Sequence, residues 1–324
     1  MTFRCIRRKP PDNRVYNHMA MNDFDLKPLP PFRLDLTVWT LRRRAENAVD
    51  RWDGHTYCRV LPLPRGPVEI AVRQYGTATA ARLRVAVAGR RLSAPLQTAV
   101  TEALDRLLGL NVDTTRFHQF ARGHPQLDEL ARRFYGVKPP RFTGMYEALL
   151  NAIACQQLTL TFGIGLLNTL AVRYGKRIGT GASAVHAFPR PDALAGAELE
   201  ELRSLGFSGN KARAIIELAR QIVSGELALE ALAELPDHAV LARLQALYGV
   251  GRWTAEYALL RGLGRTHIFP GDDAGARNNL QRWLNLPEAL DYQAVRKVMD
   301  TWRGFGGLIY FHLLLRSLAE AGHV

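Results

Sequence analysis

The spacing of apolar residues divides this chain sharply. Strand-like alternation is confined to a stretch before about residue 112, and beyond it only helical spacing is found. Three short runs carry the strand signal: Tyr57 to Leu63, Val68 to Tyr75 and Ala81 to Val87. In the last, Leu83, Val85 and Val87 alternate with Arg82, Arg84 and Ala86, the pattern of a half-buried strand. Pro64-Arg65-Gly66-Pro67 reads as the turn between the first two. Helical spacing precedes them over Val38 to Val49. It follows them from a cap at Ser93, with Leu96, Val100, Leu104 and Leu107 on one face. After residue 112 the amphipathic runs are Leu127 to Tyr135, Met145 to Thr159, Phe162 to Tyr174, Leu199 to Leu205, Asn210 to Val223, Val240 to Leu247 and Trp253 to Gly262. Ala274 to Leu284, Ala294 to Met299 and Leu308 to Leu318 complete the set. The fold expected is mainly α with a small α+β N-terminal domain. Residues 1–28 form a polar tail, with Met19 or Met21 as alternative starts; 29–112 form the mixed domain and 113–324 an all-helical one.

The chain has 324 residues, ample for two domains with real cores. Its net charge is +13 at pH 7, and most of the basic residues are arginines. That balance favours a polyanionic partner, nucleic acid first, although a solvated arginine-rich surface has the same composition. No apolar run is long enough to span a membrane and the basic N-terminus has no apolar stretch behind it, so a cytoplasmic protein is expected. Cys5, Cys58 and Cys155 are too few and too scattered for a disulfide framework, a zinc knuckle or a four-cysteine iron–sulfur cluster.

One segment points to a ligand. In Leu247-Tyr248-Gly249-Val250-Gly251-Arg252-Trp253-Thr254-Ala255 a helix ends, two glycines turn the chain, and a second helix starts. Its first N–H groups lack partners along the helix, and the helix dipole favours an anion there. A DNA phosphate suits that place without any base contact. On its own the same turn would serve as a plain tight connection between two helices. The second segment is Ile268-Phe269-Pro270-Gly271-Asp272-Asp273-Ala274-Gly275, which delivers adjacent carboxylates to a helix start. A helix cap would explain one of them. Asp273, however, follows Gly249 by twenty-four positions, and the two segments together are specific.

With those segments the chain resembles the helix-hairpin-helix DNA glycosylase superfamily, and within it the bacterial DNA-3-methyladenine glycosylase II enzymes. Ala152-Ile153, Gln156-Gln157-Leu158-Thr159, Leu205-Gly206-Phe207, Lys211-Ala212 and Trp302-Arg303 belong to the same likeness, which runs from about Pro30 to Leu318. The resemblance implies a helix-hairpin-helix at about 238–262 and an N-terminal domain like half of TATA-binding protein. It places the catalytic carboxylate on Asp273, which leaves Asp272 a structural role. It places the base pocket at Trp253, Tyr257 and Trp302, and the phosphate-binding N–H groups at Gly249, Gly251 and Thr254. The wedge that fills the hole left by a flipped base falls on Gln157, with Leu158 beside it. A structural monovalent cation, sodium or potassium, would be held by the main-chain carbonyls of Gln245, Leu247 and Val250. Trp253 stands where lyase relatives carry a nucleophilic lysine, so no Schiff base is expected.

The resemblance departs from the family pattern at two points. Ala274 stands where a tyrosine follows the catalytic aspartate. No N-terminal aromatic is matched to the pocket either: Trp39 is near, and Thr40 aligns. The expected activity is monofunctional excision of alkylated bases, of the 3-methyladenine and 7-methylguanine type, from duplex DNA, leaving an abasic site. No cofactor is required and no iron–sulfur cluster is expected. The partner is duplex DNA with damaged bases, met by a monomer in the bacterial cytoplasm and nucleoid. A glycosylase of the same fold for hypoxanthine or ethenoadenine is the nearest alternative. A non-catalytic damaged-DNA-binding protein is the next.

Overall fold

The computed structural model describes residues 22–302 and 304–324. It begins with a five-stranded antiparallel sheet in the order β1-β5-β4-β3-β2. The strands are β1 (Asp23–Leu26), β2 (Arg51–Trp52), β3 (Thr56–Leu63), β4 (Gly66–Tyr75) and β5 (Arg82–Ala88), with α1 (Leu34–Arg42) between β1 and β2. The three strands read from alternation are present almost residue for residue. Leu83, Val85 and Val87 of β5 are buried while Arg82 and Arg84 face out. β1 was missed. It lies inside the stretch expected as tail, pairs Asp25 with Arg84 across the edge, and buries Phe24. Four residues among polar neighbours are too few to show a period. Residues 1–21, with Met19 and Met21, lie outside the described residues.

The helix expected over Val38 to Val49 instead runs Leu34–Arg42. Asn47 ends that stretch. Its side chain donates to the Arg42 carbonyl (3.1 Å) and accepts from the N–H groups of Val49 (3.0 Å) and Asp50 (2.8 Å). A polar side chain that satisfies the backbone this way builds a turn in place of a helix.

The rest is helical: α2 (Ala94–Leu108), α3 (Thr115–Ala121), α4 (Pro125–Arg133), α5 (Met145–Cys155), α6 (Leu160–Tyr174), α7 (Pro191–Leu194), α8 (Leu199–Ser204), α9 (Gly209–Val223), α10 (Asp237–Gln245), α11 (Arg252–Ala258), α12 (Ala274–Trp283), α13 (Tyr292–Thr301) and α14 (Gly306–Glu320). A two-stranded ribbon, β6 (Arg177–Ile178) with β7 (Val185–His186), interrupts them. Its strands are too short for a sequence signal. α5 stops at Cys155, four residues earlier than its apolar spacing suggests. Gln157 takes a left-handed backbone (φ 53), and the Thr159 hydroxyl caps α6 by accepting the Phe162 N–H (3.3 Å).

Two buried arginines tie the sheet domain to the helices. Arg59 on β3 pairs with Asp50 (2.6 Å) and with Glu147 of α5 (2.6 Å), all three nearly inaccessible. Arg261 sits in a single π-helical turn, Leu259–Leu263, that continues α11. It donates to the carbonyls of Thr40 (3.2 Å) and Leu41 (3.3 Å) at the end of α1. A cation there complements the negative end of the helix dipole. The same guanidinium lies over the rings of Phe142 (4.7 Å) and Phe311 (5.2 Å). α1, α5, α11 and α14 are thereby drawn together around one opening.

Candidate active site

That opening is a cavity of about 600 Å³, lined among others by Arg43, Asn151, Leu158, Trp253, Tyr257, Asp273 and Tyr310. Asp273 is the N-cap of α12: its Oδ1 accepts the Ala276 N–H (2.9 Å). Its Oδ2 accepts from Trp253 Nε1 (3.3 Å) and from the Tyr310 hydroxyl (3.3 Å). A cap holds a carboxylate in one orientation. The two ring donors fix its other oxygen at the cavity wall. Burial, and then the nearby charge of Asp273, push the Tyr310 hydroxyl well above its usual pKa, so it stays a donor. Asp272, expected to be structural, is not a cap. It accepts from Arg252 Nε (2.6 Å), and that guanidinium lies 3.6 Å over the Tyr292 ring.

The loop that carries both aspartates is held from α11. Glu256 is nearly buried, accepts the Gly271 N–H (3.0 Å) with Oε2, and accepts the Tyr292 hydroxyl (2.7 Å) with Oε1. Burial raises its pKa. Glu256 stands outside the residues expected of the site, although a carboxylate between Trp253 and Tyr257 on an apolar helix is a signal. Tyr310, a hydroxyl on the apolar face of α14, likewise carries no signal in the sequence.

Of the three expected pocket aromatics, two line this cavity. Trp253 and Tyr257 pack at 5.7 Å, and both line the cavity. Trp302 does not. It ends α13 and leans on Trp283 (5.3 Å) outside the lining, so the position that the resemblance assigned to the pocket makes a packing contact instead. Arg303 lies outside the described residues. Trp39 stacks on His323 (5.3 Å), a cavity residue, without lining the cavity itself, and Thr40 is fully buried. Ala274 is exposed and does not line the cavity.

A third residue was hidden in the sequence. Arg43 follows α1 with a left-handed backbone (φ 62), a conformation that costs a side-chain-bearing residue about 1–2 kcal/mol. Its guanidinium is buried at the cavity wall, and donates to the Tyr257 hydroxyl (3.0 Å) and to Asn151 Oδ1 (2.6 Å). Three consecutive arginines read as a solvated run, so nothing in the sequence set the middle one apart.

The hairpin runs from α10 to α11. Ala255 is bonded back to the Gly251 carbonyl (3.0 Å), which leaves the N–H groups of the first turn, Thr254 among them, for an outside acceptor. Gly249 needs its glycine, with φ +75 and the Ala214 side chain 2.7 Å from where a Cβ would stand. Gly251 has open space around it. Thr254 itself is buried, and its hydroxyl receives Gln156 Nε2 (2.9 Å), which also donates to the Gly249 carbonyl (2.9 Å). Gln156 thus locks the end of α5 to the hairpin. The adjacent Gln157 and Leu158 are exposed, and Leu158 lines the cavity. At the turn, Leu247 accepts the Val250 N–H (3.2 Å), while among the described residues no N–H donates to the carbonyls of Gln245 or Val250. Those unfilled acceptors suit a cation. No described group of His, Cys, Asp or Glu side chains forms a metal site.

Comparison with known proteins agrees with this architecture. Residues 150–303 match the family described as HhH-GPD superfamily base excision DNA repair protein. A Bacillus subtilis protein named as a candidate DNA-3-methyladenine glycosylase is 33% identical over 161 residues, half of this chain and 55% of that relative. The chain thus spans little more than half the length of that relative. A second Bacillus subtilis protein, DNA-3-methyladenine glycosylase, is 28% identical over 204 residues, covering 63% of this chain and 67% of the relative. Among solved structures, the 3-methyladenine DNA glycosylase from Archaeoglobus fulgidus superposes with a TM-score of 0.79 at 24% identity, covering 93% of this chain and all of that one. The hairpin and the capped Asp273 both fall within residues 150–303, the stretch that is similar to the HhH-GPD superfamily of base excision DNA repair proteins.

Proposed function

We propose that this protein is a DNA glycosylase that removes alkylated bases, of the 3-methyladenine and 7-methylguanine type, from duplex DNA by hydrolysis. One observation carries the reading: the Asp273 carboxylate, fixed by three donors, faces a cavity of about 600 Å³ walled by Trp253 and Tyr257. A flipped base stacks on those rings, and the carboxylate stands beside C1′ of its sugar. When the C1′–N bond breaks, its electron pair leaves with the base. Asp273 stabilises the positive charge left on the sugar and takes a proton from the water that adds to C1′. Alkylation at a ring nitrogen makes the base a good leaving group, so no strong general acid is needed.

Hydrolysis without a Schiff base is supported by the cavity wall. Among the described residues no lysine lines it, and Lys211 donates to the carbonyls of Ala154 (3.1 Å) and Gln156 (2.6 Å). The N–H groups of Gly249, Gly251 and Thr254 bind a backbone phosphate. The carbonyls of Gln245, Leu247 and Val250 would hold a monovalent cation, which would supply positive charge beside the hairpin. Gln157 and Leu158 fill the vacated stack. Among the described residues no helix is long and apolar enough to cross a membrane. We place the protein in the bacterial cytoplasm as a monomer with one DNA site.

The test is base release from a methylated duplex by wild type and by Asp273→Asn. Wild type should release methylpurines, with strand cleavage only after alkali. The variant should lose roughly 10²–10³-fold in rate, the usual cost of removing a stabiliser of transition-state charge. Equal release by both proteins overturns the role of Asp273.

A further inference from the structure

Arg43 brings to the cavity a charge that excision of cationic bases does not call for. Its side chain is buried at the wall, and two of its nitrogens are engaged by Tyr257 and Asn151. Asn151 cannot turn away, because its own amide donates to the Glu147 carbonyl (2.9 Å). The remaining Nε of Arg43 is buried and has no partner. Among the described residues no carboxylate lies within ion-pair distance of Arg43, nor of Arg261 behind it; the nearby Asp50 is paired with Arg59. Arginine does not shed its proton in a protein. The wall behind Tyr257 is therefore positive and lacks a counter-ion. The left-handed backbone at Arg43 adds an independent sign, since such a conformation on a long side chain is found where the site demands it.

We propose that Arg43 is a specificity-determining residue of the base pocket, extending its range to uncharged bases that present a carbonyl oxygen and holding back cationic ones. The inference rests on the reading of this cavity as the base pocket. Nε itself is sealed from water, but in the empty pocket water can satisfy the Nη hydrogens that Tyr257 and Asn151 leave free. A base that enters expels that water, and a buried donor left unpaired is costly. A carbonyl oxygen replaces the water with a charge-assisted hydrogen bond. An N-alkylated purine without such an oxygen leaves the donor unfilled and adds a like charge in a medium of low dielectric. Trp253 and Tyr257 attract that cation, and Arg43 opposes them. Hypoxanthine and 3-methyladenine are the discriminating probes, since the first is neutral with a carbonyl and the second is cationic in DNA without one.

The experiment compares release of hypoxanthine from a defined duplex with release of 3-methyladenine from methylated DNA. It uses wild type, Arg43→Gln and Arg43→Lys. Removing the charge should lower the hypoxanthine to 3-methyladenine ratio by roughly 10- to 100-fold, the size of a lost hydrogen bond to a charged group. Arg43→Lys keeps the charge and should shift the ratio less; it carries the test if Arg43→Gln does not fold. An unchanged ratio, or a proportional fall for both bases, overturns the proposal and leaves Arg43 a packing role. A binding arm needs no turnover. Asp273→Asn, with and without Arg43→Gln, is titrated with hypoxanthine and undamaged duplexes. Preference for the hypoxanthine duplex should fall when Arg43 is replaced, and an unchanged preference overturns the assignment. If wild type releases no base at all, the proposed function fails, while this arm still decides the role of Arg43.

Discussion

Two neighbouring carboxylates do different work here, and geometry separates them. Asp273 is capped into α12 and touched by two ring donors inside the cavity, whereas Asp272 pairs with the half-exposed Arg252 outside it. A surface ion pair of that kind contributes only about 0–1 kcal/mol. Asp272→Asn should therefore keep base release within about tenfold of wild type and melt at nearly the same temperature. A loss as deep as that of Asp273→Asn, measured in the same single-turnover assay, would exchange the two roles.

At the scale of the element, the hairpin is a turn with two glycines of unequal standing. Gly249 combines a left-handed backbone with a neighbour 2.7 Å from a would-be Cβ, while Gly251 has a common backbone conformation and nothing within 4 Å. Gly249→Ala should cost about 1–2 kcal/mol or more of folding stability from the backbone alone. Gly251→Ala should leave stability within about 0.5 kcal/mol of wild type. At the proposed phosphate site its methyl would stand in the way of the anion, so duplex affinity should drop even though the melt does not move. Calorimetry and fluorescence anisotropy on the two variants check this pair. A destabilised Gly251→Ala would refute it.

At the scale of the whole molecule, the core holds a buried imidazole whose protonation is linked to folding. His312 of α14 is sealed between Phe117 (4.9 Å) and Phe134 (6.5 Å), with Nδ1 on the Leu308 carbonyl (2.8 Å) and Nε2 unpartnered. Burial lowers its pKa to about 4. The unfolded chain binds that proton from about pH 6.5 downward, and the folded chain only near 4. The stability this group contributes is thus present above pH 6.5 and is lost as pH falls towards 4, by up to about 3 kcal/mol. Urea melts of wild type should weaken between pH 7 and pH 5, and those of His312→Leu should weaken less. Parallel curves would show that other groups dominate. α14 also supplies Tyr310, which donates to Asp273 (3.3 Å).

Much of this protein was legible in the sequence, and for a physical reason. Period-two and helical spacing report burial against a neighbour, so the strands β3 to β5 and the long helices could be read directly. The hairpin and Pro270-Gly271-Asp272-Asp273 were legible because backbone turns and caps need particular residue types at neighbouring positions. Elements of two or four residues, β1, β2, β6 and β7, show no period and were invisible. Only tertiary structure decided which side chains meet across the chain. Arg43 reaches Tyr257 and Asn151 over separations of 214 and 108 residues, and Tyr310 reaches Asp273 over 37. Trp302, matched by position, turned instead to Trp283. Local spacing encodes which face of an element is buried; which distant groups share a cavity depends on how those faces pack, and no single stretch of sequence contains that information.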